Sequence, residues 1–247
     1  MSTVRVEDRG RVRHIAMARA ERRNAFNAEL IAELQEALAD AGDARAVVLS
    51  GDGPSFSAGA DADWMRSSVD LTYEENCADA ERMRAMLTTL NDCPAPTLAR
   101  VQGHAMGGGA GLVACCDIVL TDSNTVFAFS ETKLGLIPSV ISPFVLQKIS
   151  VGSARRYFLT GERFDASTAV AIGLAHERTD DLDAVLDRVL GELATAGPES
   201  VRAAKRLVRE RPQERATSEL IANVRATPEA QEGLRAFLDK RAPAWRQ

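Results

Sequence analysis

Three consecutive glycines, Gly107 to Gly109, stand at the head of an otherwise apolar stretch, and a fourth glycine follows at position 111. The residues after the triplet are typical of a short buried helix, although glycine disfavours a helix interior by about 1 kcal/mol relative to alanine. A helix start exposes unpaired backbone N–H groups and the positive end of the helix dipole. Glycines there let a strand or a ligand oxygen approach closely. The stretch therefore predicts a tightly packed helix start or an anion-binding one, and a flexible loop is the remaining alternative.

The length and composition are those of a globular chain. Its 247 residues suffice for one large domain, or for a domain with a helical appendage. The net charge of −5 does not indicate a nucleic-acid partner, and the basic cluster from Arg202 to Arg215 has the spacing of a solvated helix face. The segment from Met1 to Arg13 lacks the apolar core of a signal peptide, and no run approaches the roughly 20 apolar residues of a membrane span. We therefore expect a cytoplasmic protein without a membrane partner.

The four cysteines and three histidines do not have the spacing of a metal site. Cys115 and Cys116 are adjacent within the apolar stretch, where buried free thiols are common. The histidines are scattered singly. We expect neither a metal nor a disulfide.

The order of predicted elements indicates an α/β fold. Strands are predicted at Val12 to Met17, Ala46 to Ser50, Thr97 to Val101, Asp117 to Thr121 and Val126 to Phe129. Between them, helices are predicted over Ala28 to Ala39, where Asn27 is the N-cap, and over Glu74 to Leu90. The glycine stretch opens a further helix. Strands that alternate with helices favour a largely parallel sheet.

From Ser142 onward the pattern becomes helical. Ser142-Pro143 is typical of an N-cap followed by proline at the first helical position. Ser153, Asp165 and Thr227-Pro228 are similar start signals. A brief strand is predicted at Ala175 to Glu177, and the rest of the last hundred residues is expected to be mostly helical.

A second segment, Ser55 to Met65, follows a strand and a turn and consists largely of small residues. It can present a free backbone amide near Ala60. Two amides from different loops that converge on one oxygen form an oxyanion hole, in which each donor contributes about 3 kcal/mol to stabilising an enolate or a tetrahedral oxyanion. The two segments together suggest such a site.

Three motifs in order resemble the enoyl-CoA hydratase/isomerase, or crotonase, superfamily: SFSAGAD, GHAMGGGAGLVACCDIVL and FAFSETKLGLIP. The resemblance continues to the C-terminal EGLRAFLDKRAPAW and so covers nearly the whole chain. It implies an α/β crotonase fold, in which residues 1–190 form a spiral of ββα units and residues 191–247 a helical trimerisation region. It also implies a homotrimer or homohexamer and a coenzyme A thioester substrate, whose carbonyl lies between the N–H groups of Ala60 and Gly108.

The resemblance also indicates which carboxylate acts. Typical hydratases of the family use two glutamates, and the motif alignment places Gly111 at the first of them and Glu131 at the second. Glu131 is therefore the candidate general acid/base, and a surface glutamate is the alternative reading. Asp61 and Asp63 are rival carboxylates, but Asp61 matches the structural aspartate of the motif. Asp117 likewise has the character of a turn or strand-end residue, and His104 is at most pocket lining.

Within the superfamily, the chain looks particularly like bacterial hydratases of the methylglutaconyl-CoA and isohexenylglutaconyl-CoA type, from leucine and acyclic terpene breakdown. Glycine at position 111 and the segment Ser139 to Phe144 are familiar in that subgroup. The resemblance thus favours a 3-methylglutaconyl-CoA-like substrate. A cationic side chain near the acyl pocket would pair with a second substrate carboxylate, but the sequence does not identify it.

Coenzyme A is part of the substrate, and no separate cofactor is expected. By resemblance, the groups that contact it are Arg22, Arg23, Ser57, Ala58, Asp61, Phe237 and Lys240. The last two would reach the ligand of a neighbouring subunit. Each of the cations is equally compatible with an ordinary surface position.

Two other functions stay open from the sequence. A crotonase-fold isomerase, decarboxylase or hydrolase would use the same oxyanion hole, since the fold does not decide among these reactions. Isomerisation needs only one carboxylate, so Glu131 does not exclude it. The other possibility is a catalytically silent scaffold, against which Glu131, Ala60 and Gly108 argue.

Overall fold

A computed structural model describes residues 2–246. Within this range the chain forms nine strands: β1 Val4–Arg9, β2 Val12–Met17, β3 Ala46–Gly51, β4 Thr97–Val101, β5 His104–Met106, β6 Ile118–Asp122, β7 Val126–Ala128, β8 Phe164–Asp165 and β9 Glu177–Thr179. Eleven α-helices lie in the same range: α1 Ala28–Ala39, α2 Ala62–Ser67, α3 Tyr73–Asp92, α4 Gly108–Cys115, α5 Ser142–Lys148, α6 Val151–Thr160, α7 Ala166–Ala171, α8 Leu182–Thr195, α9 Pro198–Glu210, α10 Arg215–Arg225 and α11 Pro228–Leu238. Short 3-10 turns occupy Ala20–Arg22, Glu131–Leu134 and Ala244–Arg246.

The larger sheet has six strands in the order β1-β2-β3-β4-β6-β9. All neighbouring strands are parallel except β1 and β2, which form an antiparallel hairpin. The predicted α/β architecture with a largely parallel sheet is therefore confirmed. The sequence pattern missed β1 because only Val4 of that strand is buried, so this edge strand carries no apolar alternation.

The large sheet is covered on both faces, as parallel sheets usually are. In β3, Val47 and Leu49 pack into the main core with α1 and α3, whereas Ala46 and Val48 face the other way, toward Leu186 of α8. This alternation follows from the two-residue period of a strand. Because both faces are buried, the strand is a nearly continuous apolar run, as the sequence shows.

The helix predicted from Asn27 is confirmed with the same bounds. The Asn27 side chain accepts a hydrogen bond from the Leu30 N–H at 2.9 Å and so caps α1. The four residues predicted on its apolar face are all buried: Leu30, Ile31, Leu34 and Leu38.

Two predicted helix starts were wrong. Ser142 is the first residue of α5 rather than its cap, and its hydroxyl donates back to the Ser139 carbonyl at 2.8 Å. In α6 the cap is Ser150, which accepts from the N–H of Ser153. In the sequence, a serine in the first turn of a helix cannot be distinguished from a serine at the N-cap. Only the backbone conformation shows which of the two positions the residue occupies. Asp165 and Thr227 do cap α7 and α11, as predicted.

The strand predicted at Ala175 to Glu177 lies two residues later, at β9. Leu174 and Ala175 are buried in the main core as part of the loop after α7, which explains their apolar character. Pairing with Leu120–Asp122 of β6 sets the actual register. The last hundred residues are otherwise mostly helical, as predicted.

A smaller sheet of three strands, β5-β7-β8, stands apart from the large one. β5 and β7 are parallel, and β8 is antiparallel to β7. β5 leads directly into α4, and β7 leads into the 3-10 turn that begins at Glu131. This small sheet therefore brings the glycine stretch and Glu131 to the same end of two adjacent strands.

Asp117 joins the large sheet to the C-terminal helices. Its Oδ2 atom accepts from the backbone N–H of Thr97 at 2.8 Å and pairs with Lys205 Nζ of α9 at 2.7 Å. The Lys205 side chain is only 8% exposed. Asp117 thus has the structural position at a strand end that the sequence suggested. The proposed division at residue 190 falls inside α8 and stays a prediction.

Asp117→Ala is expected to lower the free energy of unfolding by about 3 kcal/mol, because the buried Lys205 ammonium loses its counter-charge and keeps, among the described residues, only the Ala95 carbonyl as an acceptor, and the Thr97 N–H loses its acceptor. Urea unfolding followed by circular dichroism measures this loss. The matched control is Asp183→Ala, which removes the solvent-exposed partner of Arg100 and is expected to cost less than about 1 kcal/mol. Equal losses in the two variants would contradict the proposed importance of Asp117.

Candidate active site

The segment after Ser55 is bonded directly to the strand that precedes the glycines. The Ser57 N–H donates to the His104 carbonyl at 2.9 Å, and the Met106 N–H donates to the Ser57 carbonyl at 3.0 Å. Ser57 and Ala105 form a parallel bridge. The two segments that the sequence singled out therefore lie side by side.

Ala60 is held with its amide directed away from its neighbouring backbone. Phe26 N–H donates to the Gly59 carbonyl at 2.7 Å, and Asp61 N–H donates to the Phe26 carbonyl at 2.8 Å. In this parallel bridge the amide of the intervening residue points to the opposite side. Within residues 2–246 the Ala60 N–H has no backbone acceptor, and Ala60 is exposed. Its amide is thus available to a ligand.

The N-terminus of α4 has free amides of its own. Gly107 N–H donates to the Ala128 carbonyl of β7 at 2.8 Å, and Gly111 N–H makes the first bond of the helix, to the Gly107 carbonyl. The Gly108 N–H lies between them and has no backbone acceptor in the described chain, and α4 has no side-chain cap. Gly107 has a φ of 50°, a conformation that favours glycine.

Two of the glycines also lie in closely packed positions. A Cβ at Gly108 would lie 2.6 Å from Met83 Cε, and a Cβ at Gly109 would lie 2.8 Å from Ser57 Cβ. The glycine stretch therefore has both the tight packing and the free amides that the sequence offered as alternatives. The start of α4 is closely packed on one side, and its amides stay available to a ligand. The flexible-loop alternative does not describe an element packed this closely.

Glu131 lies against the same helix start. Its Oε1 atom is 3.3 Å from the position that a Cβ on Gly107 would occupy. Its Oε2 atom is buried and has no hydrogen-bond partner among the described residues. Burial raises the pKa of Glu131 above its ordinary value, and the weaker effect of its own backbone N–H lowers it. A carboxylate with a raised pKa beside free amides suits proton transfer better than an ordinary solvated carboxylate does.

Asp61 has a different environment. Its carboxylate pairs with Arg19 at 2.9 Å and accepts the N–H of Asp63 at 2.8 Å, so it caps α2. Burial alone would raise the pKa of Asp61, but the Asp63 N–H and the Arg19 guanidinium together hold it below its usual value. Both oxygens are engaged within the loop, which agrees with the structural aspartate of the motif.

The other predicted contacts to coenzyme A on this side lie around the same loop. Arg22 and Arg23 are exposed at the end of the first 3-10 turn, and Arg22 pairs with Asp63 at 3.4 Å. Ala58 N–H donates to the Arg23 carbonyl at 2.9 Å. Ser57 is fully buried, and its hydroxyl donates to a backbone carbonyl at 2.8 Å. A ligand contact at this point would thus fall to Ala58 and the arginines, which stay predictions.

Phe237 and Lys240 lie at the end of α11 and just after it. Phe237 is 80% exposed, and Lys240 is exposed as well. The structure holds one chain, so the predicted reach of these residues into a neighbouring subunit stays a prediction.

Two residues that sequence reasoning missed hold the loop in place. Arg19 pairs with Asp61 and donates to the Ala25 carbonyl. Asn24 is fully buried with a φ of 54°, and its amide donates to the carbonyls of Asp52 and Ser55. Asparagine tolerates a positive φ better than most residues. The sequence signal for this turn was therefore an asparagine placed between the two arginines and the apolar residues that follow it.

Metal and membrane features are absent from the described residues. Residues 2–246 contain no cluster of acidic, histidine or cysteine side chains that could hold a metal ion. No helix in that range combines the length and hydropathy needed to cross a bilayer. Cys115 and Cys116 are buried, and burial raises the pKa of the Cys116 thiol to about 12. These thiols are therefore protonated core side chains at neutral pH.

The two-sheet α/β architecture with a helical C-terminal region defines the chain as a protein of the crotonase fold. Its sequence matches the enoyl-CoA hydratase/isomerase family over residues 7–247, and the chain belongs to that family. Enzymes of this family act on acyl-CoA substrates, so the resemblance noted in the sequence is confirmed at that level.

Individual relatives agree with this assignment. An enoyl-CoA hydratase structure from Shewanella pealeana is 37% identical, superposes with a TM-score of 0.94, and covers 98% of this chain and 96% of its own. AtuE of Pseudomonas aeruginosa is 31% identical at a TM-score of 0.94, with 99% and 100% covered. A Thermus thermophilus protein, provisionally named an enoyl-CoA hydratase, is 33% identical over 248 residues, 96% of this chain and 98% of that protein.

Asp61→Asn is expected to lower the free energy of unfolding by about 2 kcal/mol at pH 7, because the partly buried Arg19 loses its counter-charge. The folded-state pKa of Asp61 is depressed, so its contribution is fully present above the unfolded value of about 3.9 and is lost as the pH falls below it. Urea titrations of both proteins between pH 7 and pH 2 are expected to converge at the acid end.

The control for this measurement is Asp63→Asn, which changes an exposed carboxylate of the same loop. We expect it to alter stability by less than about 0.5 kcal/mol. A difference between wild type and Asp61→Asn that stays constant down to pH 2 would contradict the charge-based role.

Proposed function

We propose that the protein is an enoyl-CoA hydratase that adds water to a 2-enoyl-CoA thioester, or removes it, with Glu131 as the single acid/base. The observation that carries this proposal is the buried Oε2 of Glu131, which has no partner in the described part of the chain and lies beside the open N-terminus of α4. Membership of the enoyl-CoA hydratase/isomerase family supports it. The names of the relatives point to the same reaction.

The free amides of Ala60 and Gly108 are the proposed oxyanion hole. The thioester carbonyl oxygen would accept both N–H groups, which have no backbone acceptor in the described chain. Charge develops on this oxygen as water adds to the conjugated double bond and an enolate forms. Each amide would contribute about 3 kcal/mol, and the positive end of the α4 dipole would act in the same direction.

Glu131 is the proposed proton carrier. In the hydration direction its carboxylate takes a proton from water as the water oxygen bonds to C3 and the double-bond electrons move to the thioester oxygen. The protonated acid then returns that proton to C2 as the enolate collapses. Water is consumed and no net proton is gained or lost. The raised pKa of Glu131 favours both half-steps, because a carboxylate with a higher pKa is a stronger base toward water and is more readily held as the acid that protonates C2.

The proposed acyl group is 3-methylglutaconyl-like. Support comes from the pair of sequence features shared with that subgroup, glycine at position 111 and the segment Ser139 to Phe144. One glutamate is then sufficient for the reaction. The cation that pairs with a distal substrate carboxylate stays unassigned.

The coenzyme A portion is proposed to lie over the loop that carries Ala58, beside Arg22 and Arg23. These two guanidinium groups are exposed and can meet the phosphate charges of the ligand. Phe237 and Lys240 are proposed to serve the ligand of an adjacent subunit in a trimer or hexamer. Their exposure in the single chain is compatible with this role.

Glu131→Gln is expected to lower the turnover of 3-methylglutaconyl-CoA at least about 100-fold, because the amide cannot accept the proton of water. The assay follows the ultraviolet absorbance of the conjugated thioester, with crotonyl-CoA as the second substrate and Glu219→Gln as the control for an exposed glutamate of α10. Product analysis separates hydration from a shift of the double bond. Turnover that the mutation leaves unchanged, or a product that is only isomerised, would overturn the proposal.

The raised pKa of Glu131 also predicts the pH dependence. The ionised form is needed to activate water, so kcat/KM is expected to fall on the acid side at a pH above the ordinary glutamate value of about 4.3. Burying the ionised carboxylate costs stability as the pH rises from that value through the folded pKa. At pH 7 Glu131→Gln is therefore expected to unfold at the same temperature as wild type or a higher one. A clearly lower unfolding temperature would contradict this description of the site.

A further inference from the structure

Gly111 lies in the first turn of α4 and is buried. A Cβ at this position would lie 2.3 Å from Ile141 Cγ2 and 3.0 Å from Ile141 Cβ, and its next neighbour would be Leu87 at 3.9 Å. Contacts below 3.0 Å require a shift, and Ile141 is a β-branched residue that is 3% exposed. Ile141 therefore occupies the space of any side chain at position 111.

This contact lies beside the proposed chemistry. Gly108 and Gly111 are three residues apart in α4 and so lie on one face of the helix. Glu131 lies against Gly107, the residue that precedes the first residue of α4. A carboxylate on residue 111 would thus begin about one helical turn from Glu131, at the same helix start that supplies the Gly108 amide.

We infer that Ile141, through its contact with Gly111, is the positioning residue that restricts the site to a single carboxylate. The inference rests on the proposed function, because it concerns how many acid/base groups serve the same reaction. The absence of a side chain at Gly111 leaves the space that Ile141 fills, and Ile141 in turn leaves no space for a side chain at position 111. Ile141 belongs to the segment Ser139 to Phe144, so the two sequence features that set this chain apart from two-glutamate hydratases are in direct contact.

The inference first predicts coupling between the two positions. Gly111→Ala is expected to lower the unfolding temperature by about 5 °C or more, and Ile141→Ala lowers it by leaving a cavity. In the double variant the new methyl enters the space of the lost side chain, so the loss is expected to be clearly smaller than the sum. Ile141→Val retains Cγ2 and is not expected to relieve Gly111→Ala.

Gly109→Ala is the matched control for this thermal-unfolding experiment. Its Cβ would meet Ser57 rather than Ile141, so its loss is expected to add to that of Ile141→Ala. Additive losses at positions 111 and 141 would overturn the inference. The unfolding temperature is measured without an activity assay, so this experiment tests the contact between Gly111 and Ile141 whether or not the proposed function is correct.

The second test concerns the number of acid/base groups. Gly111→Glu/Ile141→Ala is expected to hydrate crotonyl-CoA with a kcat/KM about tenfold or more above that of Gly111→Gln/Ile141→Ala, in which the introduced side chain is neutral and of equal size. Its pH profile is expected to gain a second ionisation, whereas wild type shows one. Packing alone would not alter the pH profile.

The outcomes distinguish the two proposals. A folded Gly111→Glu/Ile141→Ala variant that is no faster than its glutamine control and has an unchanged pH profile would overturn the role of Ile141. A single Gly111→Glu variant that unfolds at the wild-type temperature would do the same, because it would show that the space is not blocked. If wild type hydrates neither thioester, the proposed function fails, whereas the unfolding temperatures still decide the packing relation.

Discussion

Close contact between the start of α4 and the loop that precedes Ala60 is the constraint on which the site depends. Ser57 bonds through its backbone to both ends of β5, and its side chain leaves no room for a Cβ on Gly109. This contact places the loop that carries Ala60 beside the strand that leads into Gly108, and neither of these two N–H groups has a backbone acceptor among residues 2–246. A larger residue in the first turn of α4 would separate the loops, so the glycines are a packing requirement and a chemical one together.

The charged and polar side chains around the loop that carries Ala60 stabilise that loop and do not pair with Glu131. Arg19 and Asp61 neutralise each other beneath it, and Asn24 ties its beginning through two backbone carbonyls. Among residues 2–246, in contrast, the buried oxygen of Glu131 has no hydrogen-bond partner and Glu131 forms no ion pair. The difference in environment separates two carboxylates that look alike in sequence. One is held ionised as a structural anchor, whereas burial raises the pKa of the other and makes its protonated form more accessible.

Much of the fold was predictable because its signals are local. The cap and apolar face of α1 depend on residues within twelve positions of each other, and the central strands are buried on both faces, so their composition alone marks them. The failures have a common cause. β1 has one buried residue, β8 has two residues in all, and β9 takes its register from β6, so pairing across the chain rather than local pattern defines them.

The sequence by itself determined the family, the alternation of strands and helices, the glycine-rich helix start and the identity of the candidate acid/base. These are properties of residue types and their spacing along the chain. Tertiary structure alone decided that Arg19 and Asn24 support the loop, that the buried oxygen of Glu131 has no partner within residues 2–246, and that Ile141 fills the space beside Gly111. Each of these depends on atoms brought together from distant parts of the chain, and burial and close approach have no counterpart in a one-dimensional pattern.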